Sequence, residues 1–106
     1  MLPIDAPFTS GDWHVKAGNE QEFLEAWKSL AECSMGPSGG REFILIRDVV
    51  DPLHFVSFGW WSDPAWVTMS RSREEFVRRF RRVQALCEQS RGGDFRVAIA
   101  VQEDEG

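Results

Sequence analysis

Between Thr9 and Lys16 polar and apolar residues alternate, with Trp13 and Val15 on one side and Asp12 and His14 on the other, the two-residue period of a strand. Ala17-Gly18 interrupts it. Asn19 then stands three residues before Glu22, the spacing of a helix N-cap with a reciprocal acidic partner. Phe23, Ala26, Trp27, Leu30 and Ala31 follow at helical spacing, which predicts a helix to about Cys33. Turn formers crowd Ser34 to Gly40 and mark a loop. Two apolar runs, Glu42 to Val50 and Leu53 to Trp61, flank Asp51-Pro52 and predict a β-hairpin.

The hairpin carries a second message. In Phe43-Ile44-Leu45-Ile46 and Phe55-Val56-Ser57-Phe58-Gly59-Trp60-Trp61 the apolar residues fall on both faces, whereas a strand with one wetted face alternates. The helical segments suffice to cover one face, so a second copy of the sheet is the simplest cover for the other, as a two-fold homodimer through sheet faces. After the hairpin, Ser62 or Asp63 can cap a helix that begins at Pro64 and runs through Ser70. Ser72-x-x-Glu75 reads as a capping box for a further helix, with Phe76, Val77, Phe80, Val83, Leu86 and Cys87 facing the core and Gly92-Gly93 ending it. Phe95, Val97, Ile99 and Val101 alternate in a last strand, Asp94 to Gln102, and Glu103 to Gly106 form an acidic tail. The predicted order is βαββαβ: an α+β, ferredoxin-like domain with an antiparallel sheet and both crossover helices on one face. A single domain of 106 residues is expected, with a core over about 8–102 between a flexible N-terminal arm and the flexible tail.

Composition narrows the function classes. At 42% hydrophobic and 27% charged the chain is an ordinary globular sequence, and no run approaches the roughly 18 apolar residues of a membrane span. The N-terminal residues lack the basic and apolar regions of a secretory signal, so a cytoplasmic location away from membranes is expected. Twelve basic against 17 acidic residues give a net charge of −5, which repels phosphate backbones. Arg78, Arg79, Arg81 and Arg82 alternate with the apolar stripe of their helix and read as its solvated side, so no nucleic-acid partner is expected. Cys33 and Cys87 have neither zinc-site spacing nor partners, and at opposite ends of antiparallel helices they stay reduced.

Trp13-His14-Val15-Lys16-Ala17-Gly18-Asn19, Phe23, Ala26-Trp27, Arg47-Asp48 with Asp51-Pro52, and Phe58-Gly59-Trp60-Trp61-Ser62 running to Phe76 together resemble the antibiotic-biosynthesis-monooxygenase-like family of dimeric α+β barrels. The resemblance covers nearly the whole chain. It implies a cofactor-independent monooxygenase that oxidises a small aromatic or quinonoid molecule in a pocket between sheet and helices. The chain departs from the family pattern in having Trp60 where a glutamate is frequent, Ser70 where a tryptophan is frequent, and no tyrosine. The haem-degrading branch of such proteins has a tryptophan and a histidine where this chain has Ser70 and Phe80, so no iron ligand and no haem chemistry are expected.

Oxygenation without a cofactor requires a base near neutral pKa, a stabiliser for the substrate anion and a dry pocket. His54 is the first candidate for the base, His14 the second, these being the two histidines of the chain. Either can equally be an exposed strand residue. Arg47 interrupts an apolar strand and is either paired with Asp48 or Asp51 or aimed at a substrate oxyanion. Trp61, Trp66, Met69, Ser70 and Phe80 are the candidates to contact the substrate, against core packing as the plainer role for the aromatic residues. No cofactor is expected, and Asp51-x-x-His54 offers too few ligands for a metal. The alternatives are a non-catalytic small-molecule binder with the same pocket, or a dimeric interaction module whose aromatic residues serve only its interface. A titratable base at an enclosed pocket marks the enzyme, and a filled pocket marks the module.

Overall fold

The chain runs β1 (Pro7–Val15), α1 (Glu20–Cys33), a short 3₁₀ turn (Gly36–Ser38), β2 (Gly40–Arg47), β3 (His54–Trp61), α2 (Pro64–Ser72), α3 (Glu74–Ala85) and β4 (Cys87–Arg96). This is a computed structural model that describes residues 2–103, so the acidic tail expected from Glu103 lies, beyond that residue, outside the described residues. The sheet has the order β2-β3-β1-β4 with every neighbouring pair antiparallel, the α+β ferredoxin-like arrangement. Among the described residues no helix is long and apolar enough to cross a membrane.

Alternation along the central strands decides which side is covered. Trp13 and Val15 of β1 and Phe55, Ser57 and Trp61 of β3 are buried towards the helices. Phe23, Ala26 and Leu30 of α1 and Val83 of α3 meet them from above, at the three- and four-residue spacing of a helix face. Trp13 touches Phe23 and Phe80 with ring centroids 6.0 Å away in each case, and Phe23 tilts against Phe55 at 4.9 Å. The opposite face carries Ile44, Ile46, Phe58 and Phe95, all between 42% and 59% exposed. Large apolar side chains on both sides of one sheet are therefore real, as the strand pattern predicts.

Three local expectations are corrected. The last strand is Cys87–Arg96, not Asp94 to Gln102, and Gly92-Gly93 lie inside it opposite Gly11 and Ser10 instead of ending a helix. The strand begins where Lys16 N–H donates to the Leu86 carbonyl and Cys87 comes into register with Val15, so long-range pairing overrides the helical apolar stripe through residue 87. The Ser72/Glu75 capping box does not form. Ser72 closes α2 by donating to the Met69 carbonyl at 2.7 Å, and Glu75 pairs with Arg79 one turn on. Asn19 occupies the N-cap position of α1 without a side-chain bond, and Glu20 instead accepts the Gly18 N–H. Asp63 does cap α2, accepting the Ala65 N–H at 2.8 Å ahead of Pro64.

Candidate functional site

A cavity of about 370 Å³ lies between the sheet and the helices, large enough for a small aromatic molecule. Trp13 and Trp61 rise from β1 and β3 to form its floor with Phe43, and Trp27, Phe76 and Phe80 close it from α1 and α3. Gly59, Gly92 and Gly93 also line it, and at Gly59 an added Cβ would lie 2.2 Å from the Phe43 ring, so the glycine lets that ring lie against the strand. Trp13 is aromatic-packed yet not idle: its Nε1–H donates to the Ser57 hydroxyl at 2.9 Å. Trp61 Nε1–H donates in the same way to the Thr9 hydroxyl at 3.0 Å. Both hydroxyls line the cavity, and each accepts from an indole, which leaves its own hydrogen available to a ligand.

The charged end of the cavity is an ion pair. Arg71, in the last turn of α2, donates Nη1–H to Asp94 at 2.9 Å and a second hydrogen bond from Nη2 to the other carboxylate oxygen. This two-pronged bond holds the Asp94 carboxyl below the usual carboxylate range and raises the Arg71 pKa. Asp94 is thus an ionised partner for Arg71, while the guanidinium is the one positive group facing the cavity among the described residues. Cys87, buried at the start of β4, has its thiol pushed up by burial, so it is not a nucleophile here.

Of the residues proposed from sequence, Trp61 and Phe80 line this cavity. Trp66 packs instead over Gly39, Met69 is half exposed, and Ser70 is buried with a hydroxyl that has no hydrogen-bond partner. Arg47 stands at the exposed end of β2, where its guanidinium lies 4.8 Å above the Phe55 ring instead of pairing with Asp48 or Asp51. His54 projects from the opposite face of the sheet. Its Nδ1 is 2.9 Å from Asp48 and its Nε2 3.0 Å from Asp12. The hydrogen bond to Asp48 is the main reason that the His54 pKa rises, and reciprocally Asp48 is lowered to about 2. His14 stacks on His54 with ring centroids 4.5 Å apart.

Sequence reasoning missed Thr9, Ser57, Arg71 and Asp94. Nothing in the sequence sets Arg71 apart from the other arginines, and Asp94 lies opposite Thr9 near the end of β4 instead of at the start of a strand. No local signal joins residues 23 positions apart into one pair.

The family model for antibiotic biosynthesis monooxygenase matches residues 11–82. No curated protein sequence matches the chain. Among solved structures, a variant of SnoaB, a cofactor-independent oxygenase from Streptomyces nogalater, aligns with a TM-score of 0.85 at 19% identity, over 93% of this chain and 99% of that one. A conserved protein from Methanosarcina mazei Go1 aligns with a TM-score of 0.79 at 18% identity, over 89% and 94%. A putative antibiotic biosynthesis monooxygenase from Deinococcus radiodurans gives 0.78 at 11% identity, over 92% and 98%. At these identities the structures establish the shared fold, and the family match over most of the chain establishes kinship: this protein belongs to the antibiotic biosynthesis monooxygenase family.

Proposed function

We propose that the protein is a cofactor-independent monooxygenase acting on a small phenolic or quinonoid substrate in the cavity between sheet and helices, as a homodimer joined through the open sheet faces. The observation that carries the reading is an aromatic-walled cavity with one cation, Arg71, at its end. Flat indole and phenyl walls suit a ring. The guanidinium and the Ser57 and Thr9 hydroxyls suit the oxyanion of its ionised form. Because Asp94 is held ionised by Arg71 and no imidazole lines the cavity, the chain supplies anion stabilisation more than a strong base. The substrate is therefore one that ionises readily, with the ionised hydroxyl drawn to Arg71. Its carbanion form reduces oxygen, the two recombine as a peroxide, and loss of water leaves a carbonyl: one CH₂ and one O₂ yield one C=O and one H₂O.

The test is oxygen uptake with anthrone-type and hydroquinone-type compounds, followed together with quenching of tryptophan fluorescence. The expected result is uptake of one O₂ per product, lost in Ala31→Phe, which fills the cavity, and reduced about 10²–10³-fold in Arg71→Gln. Binding without oxygen uptake would leave a non-catalytic binder of the same fold, and neither binding nor uptake would remove the cavity from the reading.

A further inference from the structure

The Arg71–Asp94 pair has a second side. Beyond it a further pocket of about 280 Å³ lies between α2 and the ends of β1 and β4, and Thr9, Arg71 and Asp94 line both this space and the aromatic cavity. Pro7 and Phe95 from the sheet and Pro64, Val67 and Thr68 from α2 supply its walls. The two spaces are neighbours across one ion pair, so a ligand that reaches Arg71 from the cavity also reaches the edge of the second pocket. The region belongs to the helix side of the sheet and not to the open face, because Thr9 accepts from Trp61 there and Asp94 is its partner in the β1–β4 register.

Charge sets the second pocket apart from the first. Both Nη groups of Arg71 bind Asp94, so these two charges balance within the pair. Arg96 follows Asp94 by two residues, which in a strand places it on the same face about 7 Å further along, and it lines the second pocket but not the cavity. Among the described residues Arg96 has no ion-pair partner. Its charge is therefore the unbalanced one in the pocket, and it is positive on a chain whose net charge is −5. Thr68 adds a hydroxyl from α2, and Arg71 keeps N–H groups that Asp94 does not engage.

We propose that the second pocket is a subsite of the same binding site and takes a carboxylate substituent on the substrate's ring, with Arg96 as the residue that reads its charge. The proposal rests on the reading of the cavity as the site of a phenolic or quinonoid ring. The ring lies among the indole and phenyl walls with its ionised hydroxyl at Arg71, and the carboxylate passes Arg71 towards Arg96. Arg96 is thus a specificity residue: it selects an acidic ring compound over its neutral counterpart and takes no part in the reaction with oxygen.

The test is calorimetric titration of the full chain with chrysazin and rhein, two dihydroxyanthraquinones that differ by one carboxylate. Rhein should bind about fivefold more tightly at low salt, the upper end for an exposed ion pair, and the preference should shrink as salt is added. Arg96→Gln should abolish the preference and Arg96→Glu invert it, with chrysazin affinity and circular dichroism unchanged. Arg96 also borders the open face, so Thr68→Phe, which fills the pocket only from α2, decides where the carboxylate sits: it should abolish the preference as well. Equal binding of the two compounds to the wild type would overturn the subsite and leave the cavity reading standing. A preference that survives Arg96→Gln or Thr68→Phe would overturn it too. Binding of neither compound would remove the cavity and the subsite together, whereas a preference lost in both variants without any oxygen uptake would support the subsite and sink only the oxygenase.

Discussion

Ser57 shows how a single small residue links packing to chemistry. Its hydroxyl is the acceptor for Trp13 Nε1–H in a buried setting, and the same hydroxyl faces the cavity. Ser57→Ala leaves the indole N–H without a partner and should destabilise the protein by about 1–3 kcal/mol. Adding Trp13→Phe should restore part of that loss beyond simple additivity, because the stranded donor goes with it; urea denaturation of the two single variants and the double variant reads the difference. Asp94 gives a prediction about acid. Its pKa is lower folded than its ordinary value of 3.8, so its pairing with Arg71 contributes stability that is present above about pH 4. That contribution is lost as pH falls through the folded value. The pair is exposed, so the difference is modest, about 0.2–1 kcal/mol. Comparing urea midpoints of the wild type and Asp94→Asn should show a gap at pH 6 that narrows as the pH is lowered below 4.

At the scale of elements, the passage from α1 into β2 and the start of α2 are locked together. Gly39 has a φ of +94° and sits under Trp66, whose Cγ would be 2.2 Å from an added Cβ. Ser62 N–H at the end of β3 donates to the Gly39 carbonyl at 2.9 Å, so the same turn also anchors the approach to α2. Gly39→Ala should therefore cost about 1–3 kcal/mol from the backbone conformation alone, with displacement of Trp66 in addition. Asp63→Ala removes the cap of α2 and should cost about 1 kcal/mol. Because α2 carries Arg71, the Asp63 variant should also lower ligand affinity, and thermal melts with and without a bound phenol separate the two effects.

For the molecule as a whole, the unresolved demand is the apolar face of the sheet. Ile44, Ile46, Phe58 and Phe95 leave large apolar side chains about half exposed on one face of the sheet. The proposed two-fold pairing of sheets would cover it with the same residues from both copies. Sedimentation should therefore give twice the chain mass of 12.1 kDa, and Phe58→Glu should shift it to the monomer without abolishing the secondary structure. A monomeric wild type would overturn the proposed pairing of sheet faces.

What the sequence determined by itself is what local periodicity can carry. The hairpin, α1, the Asp63-Pro64 helix start and the two-sided apolar strands follow from side chains that repeat every two or every three to four residues. Even the shared face of Asp12 and His14 is visible in that alternation. The tertiary structure alone decided β4, because Cys87–Arg96 is polar and glycine-interrupted and becomes a strand by pairing with β1 along its length. It also decided which polar side chains meet, as they do only after the sheet forms: Arg71 with Asp94 across 23 positions, and Asp12 with His54 across 42. The physical reason is that a helix or strand pattern is written by neighbours in sequence. A contact between distant side chains is written by strand register and by how the helices pack on the sheet, and both depend on the whole fold.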